Sequence, residues 1–494
     1  MKRTCGLIAV LTLCLALAAA FPAGAAGASQ ADCYWYDKWG DPVTIPDVCD
    51  LSGTVELSAL TDRELKGLTD AFVLKDGTMY VLDQGGTVLH LDAGCRLLGL
   101  VEPHAADGTP DPLSEPEGVF FDEKTGRLYI ADTGNQRVVK LLPDGTVEKS
   151  FARPDTLTGA LTHLDYQPSK LAVDNAGRIY VVARNINMGI VVLDKNGRFI
   201  AYRGAPEVTL SLYDQFWRRF STQEQLERME THIPTEYNNI AIDGDSFLWG
   251  TISAIDDEDL VRTIRTNDLG SNVAPIKKLN LAGKDILRRK GLYPPVGDLT
   301  VKSLSSLGDV ALADCGIYTV LDTAKGHLFT YDDDGELLYV FGRIGDRHKD
   351  FKKPVAIAYS GDELLVFDAG LNADFRFTPT DYGARVLRAV RSYYNGDYAA
   401  SYTAWGEVLS YNSNLSLAYV GVGKAHLQQG EYTKAIDCFR MAGDKANCSE
   451  AYRKIRDENV RRLFPWIVCG AGVLIAVLAG SGWVRRLRRY LQGK

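Results

Sequence analysis

Apolar and polar residues alternate in short bursts between residues 60 and 382, and each burst ends in glycine, aspartate or asparagine. A period of two over five or six residues is the pattern of a half-buried strand, and Asp-Gly or Asn-Gly steps close tight hairpins. The clearest unit runs Glu117-Gly118-Val119-Phe120-Phe121-Asp122, then Gly126-Arg127-Leu128-Tyr129-Ile130-Ala131-Asp132. It continues Thr133-Gly134-Asn135-Gln136-Arg137-Val138-Val139-Lys140 and turns at Pro143-Asp144-Gly145. Comparable units start at Ala71, Leu171, Ile240, Val310 and Val355. Three of the spacings are about fifty residues, and two are lengthened by insertions. A four-stranded unit repeated six times predicts a mainly β fold, a six-bladed β-propeller.

After residue 382 the period becomes helical. Gly396-Asp397-Tyr398 and Gly430-Glu431-Tyr432 stand 34 positions apart by their numbering. Apolar faces precede each: Val386, Leu387, Val390 and Tyr393, then Ala418, Val422, Ala425 and Leu427. Ala435, Ile436, Cys438 and Phe439 follow the second glycine. This predicts a short α-helical domain over 383–463, with a helix from Glu450 to about Leu463 capping it.

Pro465 to Val484 carries no charge and has Trp466 and Trp483 at its ends, which predicts one transmembrane helix over 465–484. Lys2 and Arg3, the apolar run Leu7–Ala20 and the small residues up to Ala28 predict a signal peptide over 1–28. Cys14 follows Leu13, not the small residue a lipoprotein signal needs. Arg485, Arg486, Arg488 and Arg489 make a basic tail over 485–494, so the positive-inside rule places the C-terminus in the cytoplasm and the ectodomain outside the cell membrane. Residues 29–59 are expected to form an extended N-terminal segment.

The chain has 494 residues and a net charge of −8, which disfavours nucleic acid as a partner. Six cysteines fall between the two apolar ends: Cys33, Cys49, Cys95, Cys315, Cys438 and Cys448. They could form disulfides, and the sequence does not choose the pairing. No CxxC, HExxH, Gly-x-Ser-x-Gly or phosphate-binding loop occurs, and no metal or cofactor is expected. Asp332-Asp333-Asp334-Gly335 reads as a hairpin turn in preference to a calcium loop. Asp256-Asp257-Glu258-Asp259 reads as a solvated loop.

A helical insertion at about 206–235 interrupts the β pattern. Tyr213, Phe216, Trp217 and Phe220 share one helix face there, and Ser221-Thr222-Gln223-Glu224 opens a second helix as a capping box. The insertion is either a lid packed on the blades or a docking element for a partner.

The stretch Ile130-Ala131-Asp132-Thr133-Gly134-Asn135-Gln136-Arg137-Val138 resembles the NHL repeat. Asp322-Thr323-Ala324-Lys325-Gly326-His327 keeps only its Asp-Thr, and Ala183-Arg184-Asn185 departs further. The helical segment resembles two tetratricopeptide repeats. With Tyr34-Trp35-Tyr36-Asp37-Lys38-Trp39-Gly40-Asp41-Pro42, the whole layout is similar to bacterial membrane-anchored NHL/tetratricopeptide proteins associated with ABC-transporter and Yip-family systems. That resemblance implies a non-catalytic binding or scaffold protein that recognises a protein, peptide or carbohydrate and sits beside transporter components. The competing resemblance is to six-bladed lactonase-like hydrolases and lyases. It implies a channel metal held by an acid–Asn–Asp set, for which Glu117, Asn238, Asn239 and Asp243 are the candidates.

Overall fold

A computed structural model describes residues 32–37, 39–154, 166–184, 186, 188–204, 237–252, 255, 257–266, 274–300, 304–491 and 493. The signal-peptide reading and the insertion bearing Tyr213, Phe216, Trp217 and Phe220 lie outside these residues.

Six sheets form the body. Blade one is β4–β7 (Leu68–Val101), blade two β8–β11 (Gly118–Phe151) and blade three β12–β15 (Gln167–Arg203). Blade four is β16–β18 (Tyr237–Leu279), blade five is built on β19–β22 (Leu307–Phe341) and blade six on β23–β25 (Pro354–Pro379). The innermost strand of each blade packs against that of the next, and β23 returns to β4, so the ring is closed. Outer strands such as Val147–Phe151 alternate because one face is open to solvent, whereas the middle strands are buried between neighbouring blades on both faces and read as apolar runs. Strand β5, Met79–Asp83, is buried at every position.

The propeller begins before residue 60, contrary to the expected boundary. Cys49–Glu56 (β3) is the outer strand of blade six, pairing with β25 from Glu56 opposite Ala373 to Cys49 opposite Pro379. Cys33–Tyr36 (β1) and Pro42–Thr44 (β2) form a hairpin that extends blade five, with Tyr34 opposite Val340. The described strands between Cys33 and Glu56 therefore belong to two blades. Blade four is the other departure. Among the described residues it has three strands, and the Gly- and Pro-containing stretch after Leu279 crosses towards blade five, where Lys290 N–H donates to Asp334 at 2.7 Å.

Buried aspartates repeat where the second strand of a blade ends. Asp83, Asp132, Asp322 and Asp368 are fully buried, and each accepts a backbone N–H from the loop leading into its blade: Gly67, Ser114, Ser306 and Lys352 respectively. In blade two Asp132 also accepts from Asn135 and Arg137, and Arg137 forks onto Asp111 at 2.8 and 3.0 Å. The NHL-like residues thus pin a loop to a strand end; a buried carboxylate needs such donors to be tolerated.

The helices come in two hairpins: α2 (Asp381–Tyr394) with α3 (Tyr398–Tyr411), and α4 (Ser416–Gln428) with α5 (Tyr432–Ala442), α1 being Asp257–Thr266 in blade four. Thr380 caps α2 by accepting from Gly383 N–H, and Asp397 caps α3 through Ala400 N–H. Gly396 and Gly430 occupy the hairpin turns at φ of 82° and 79°, with no atom near the place of a Cβ. Their requirement is conformational, not steric. The acidic run corrects the solvated-loop reading, because Asp257, Glu258 and Asp259 make the first turn of α1, where carboxylates favour the positive helix end.

The inner side of the helical pair docks on blade five. Lys424 on α4 is 8% exposed and its ammonium sits 3.2 Å from Asp334 and 3.6 Å from Asp332. The Asp332–Gly335 stretch is a hairpin turn, as expected: Gly335 N–H donates to the Asp332 carbonyl at 2.9 Å. Its acids hold a lysine of the chain itself. Glu336, also buried, accepts Leu292 N–H, and burial pushes its carboxyl up against the pull of Lys424.

A last helix, α6 (Lys445–Leu491), runs unbroken through Pro465, so the capping helix and the apolar segment are one element. It is long and apolar enough to cross a membrane by length and composition. Arg485, Arg486, Arg488 and Arg489 lie exposed in its last turns. Cys33, Cys49, Cys95, Cys315, Cys438, Cys448 and Cys469 are free thiols.

Helix packing in the hairpins has a direct test. A Cβ on Gly421 would fall 2.2 Å from the Trp405 ring, whereas one on Gly406 meets nothing within 4 Å. Gly421→Ala is expected to destabilise by about 1–3 kcal/mol through overpacking. Gly406→Ala, inside α3, should stabilise by about 0.5–1 kcal/mol through helix propensity. Chemical unfolding of both variants checks this, and equal effects would refute the packing.

Candidate functional site

The innermost strands surround a funnel of about 820 Å³ at the centre of the ring. Its size suits a small ligand or the end of a chain. Its wall is about equally polar and apolar, and its aromatic part is the pair Phe72 from blade one and Phe120 from blade two, which meet edge to face at 4.9 Å between ring centres. The rim is made by the turns that follow the inner strands and carries both signs of charge. Lys75 pairs with Glu123 at 3.3 Å. Arg391 reaches the rim from α2 and bridges Asp314 of blade five, at 2.9 Å, to Asp362 of blade six.

The deep end is a polar belt contributed by four blades. Lys170 Nζ lies 2.8 Å from Asp70 and donates to the Thr69 carbonyl at 3.1 Å. The other Asp70 oxygen accepts Val119 N–H at 2.9 Å. Across the ring, Asn239 donates its amide to Asp309 Oδ1. Asp309 also accepts Val310 N–H at 2.7 Å and, from the next blade, Ile357 N–H at 2.6 Å. The belt therefore links inner strands that have no further strand to pair with, supplying acceptors to their edge N–H groups.

Its charges are unequal in exposure. Asp70 and Lys170 side chains each keep 13% of their surface, while Asp309 is buried. Burial pushes the Asp309 carboxyl up to about 7; Lys170 opposes this and Asp70 adds to it. The belt can thus hold a proton near neutral pH, and its cation is the Lys170 ammonium.

The four candidates for a channel-metal set are not brought together. Glu117 pairs with Arg184 at 2.5 Å. Asn238 donates to the Leu307 carbonyl and accepts from Thr251. Asn239 is in the belt. Asp243 lies in a rim turn, where it accepts from Phe247 N–H at 2.9 Å and pairs with Lys278 at 3.2 Å. No group of three His, Cys, Asp or Glu suited to a metal occurs among the described residues. Sequence reasoning missed Asp70, Lys170 and Asp309. Each stands immediately before a repeat unit, at the position Asn239 holds before Ile240, and a polar residue recurring there was the available signal.

Asp309 generates a pH prediction. Its folded value lies above the ordinary carboxylate value, so the folded state binds the extra proton between about pH 4 and 7. That contribution to stability falls as pH rises through this window and levels off above it, by up to about 4 kcal/mol in all. Asp309→Asn should lack the decline, so its stability relative to the parent chain should improve from pH 5 to pH 8. Denaturant unfolding at four pH values checks it, and parallel pH profiles would refute the assignment.

The NHL repeat model matches residues 113–141, which is the first three strands of blade two with the loop before them. No curated protein matches the chain. Among solved structures, the chain is similar to a catalytically inactive virginiamycin B lyase from Staphylococcus aureus with quinupristin, at 10% identity over 64% of this chain and 82% of that one, TM-score 0.40. It is also similar to the Cps50 (Swd1) β-propeller domain from Myceliophteria thermophila, at 11% identity over 67% of this chain and all of that one, TM-score 0.42. Hydrazine synthase from Kuenenia stuttgartiensis is similar at 12% identity over 65% of this chain and 97% of that one, TM-score 0.38. None of the three carries an activity to this chain; what the comparisons add to the fold is an NHL repeat in blade two.

Proposed function

We propose that this chain is a membrane-anchored binding or scaffold protein whose propeller stands outside the cytoplasmic membrane and recognises its ligand at the funnel. The observation that carries the reading is the belt: its cation is Lys170, and the oxygens of Asp70 and Asp309 are already engaged by Lys170 and by N–H donors. A site so filled orients a ligand by hydrogen bonding above it. A lactonase-like metal site needs oxygens converging on a common vacancy, and these point at donors of the protein.

In this proposal the signal peptide delivers the propeller across the membrane and α6 anchors it. The helical hairpins are tetratricopeptide-like, and the partner is a protein, with transporter components the class that the layout suggests. The face of Tyr213, Phe216, Trp217 and Phe220 remains a proposed second docking element, on its sequence pattern alone.

The experiment is affinity capture of the full chain from gently solubilised membranes, comparing the parent with Phe120→Ala and with Trp217→Ala. If the funnel is the recognition site, Phe120→Ala should lower recovery of co-purifying material at least tenfold while the protein stays folded. If the insertion docks a partner, Trp217→Ala should cost about 2 kcal/mol of affinity, the size of an aromatic hot spot. Unchanged capture by both variants, together with divalent-dependent opening of a simple lactone by the parent, would favour the enzyme reading instead.

A further inference from the structure

Past the apolar stretch, α6 stays helical to Leu491 and every residue from Arg453 to Leu491 is at least partly exposed. At about 100° per residue, Arg485, Arg486, Arg488 and Arg489 fall within an arc of about 160°. Trp483, Leu487, Tyr490 and Leu491 fall within about 100° on the opposite side. Tyr490 is 86% and Leu491 77% exposed. The end of the helix is thus amphipathic, with a wholly cationic face, and it is continuous with a segment long enough to span a bilayer.

We infer that this last segment is a recognition surface for anionic lipid headgroups. The inference rests on the anchored reading of α6. If α6 spans the bilayer, the apolar side lies against the acyl boundary and the four guanidinium groups lie at the phosphate level. There each can fork onto two phosphate oxygens, which an ammonium cannot do. A cluster of four cations directly beside a span attracts an anionic leaflet, and the attraction decays within a Debye length. Charge and amphipathicity therefore select anionic over zwitterionic lipid, a demand beyond that of the apolar span, which any bilayer satisfies. No Asp or Glu stands between Glu458 and Lys494.

The test uses the full-length protein reconstituted in phosphatidylcholine containing a minor fraction of phosphatidylglycerol. Spin-labelled phosphatidylglycerol and spin-labelled phosphatidylcholine are compared for the fraction immobilised at the protein. Removing all four charges would disturb insertion itself, so the variant is Arg488→Gln with Arg489→Gln, which keeps Arg485 and Arg486. The expected result is a preference for phosphatidylglycerol of roughly fivefold or more in the parent. It should fall several-fold in the double variant and in 0.5 M NaCl, and Arg488→Lys with Arg489→Lys, which keeps the charge and loses the fork, should fall between the parent and the glutamine variant. Equal immobilisation of the two lipids overturns the inference. A preference that survives both the variant and the salt overturns its assignment to these arginines. Release of the protein from membranes by alkaline carbonate overturns the anchored reading and the inference together, whereas retention without lipid preference overturns the inference alone.

Discussion

A ring of blades holds only if its last sheet is joined to its first, and here that join is the antiparallel pairing of Cys49–Glu56 with Ala373–Pro379. The two strands lie more than 300 residues apart in the chain, as do Cys33–Tyr34 and their partners Val340–Phe341, so the loop-closure entropy of the propeller is met by these long-range ladders. Much else follows from the join. To reach blade six the chain must first pass blade five, and the β1–β2 hairpin is laid on that blade's outer edge. Continuing from β25, α2 starts beside β3, where Gly383 lies so close to the Val48 carbonyl that a Cβ would fall 2.0 Å from it. The helical domain therefore packs on the blades next to the closure.

The closure also explains why blade five departs from the repeat. In blade two, Arg137 stands five residues after Asp132 and grips Asp111 in the preceding loop. In blade five the corresponding position, five after Asp322, is His327, and its Nδ1 lies 3.2 Å from Asp298. Asp298 also takes the hydroxyls of Tyr34, at 3.0 Å, and Tyr36, and the Lys325 ammonium at 2.7 Å. Burial opposes its ionisation, but the donors from His327, Lys325 and Tyr36 outweigh it and hold the carboxyl below the usual range. The sequence lost Gly-Asn-x-Arg where the fold gained a latch for the N-terminal strand. In blade two the arginine joins Asp132 to Asp111, whereas in blade five His327 and the two tyrosines converge on Asp298.

This contrast marks what could be read from the chain and what could not. Period-two alternation and hairpin glycines are local, so six blades and their strands were legible. Helical spacing after Asp381 was equally local, and the hairpin turns at Gly396 and Gly430 fell where the pattern placed them. Closure was not legible, because the alternation of Cys49–Glu56 says nothing about a partner across the chain. The Asp332–Asp334 turn was read correctly as a hairpin, yet its occupant, Lys424, lies 90 residues on. The belt was missed for the same reason: Asp70, Lys170, Asn239 and Asp309 meet only once the ring is shut. The acidic run at Asp257 was misread because charge repulsion was weighed without the helix end that offsets it.

Burial decides which of the many acids can respond to conditions. The strand-end aspartates each accept N–H groups from the loop that they pin, and Asp298 gathers donors from His327, Lys325 and both tyrosines. Asp309 differs in degree: it too accepts N–H groups, but its nearest cation, Lys170, is shared with Asp70, and desolvation prevails. A buried ion pair contributes little net stability when its charges are only partly compensated. The belt is thus the place in the ring where burial, a divided cation and an open funnel coincide. Arg391 ties the funnel's rim to α2, while Lys424 ties α4 to the outer turn of blade five. The helical hairpins are consequently held to the propeller at two points, one on the funnel side and one at the ring's periphery. With α5 packed on α6, the packing contacts run from the funnel rim through the helical hairpins to the start of the helix that carries the apolar segment.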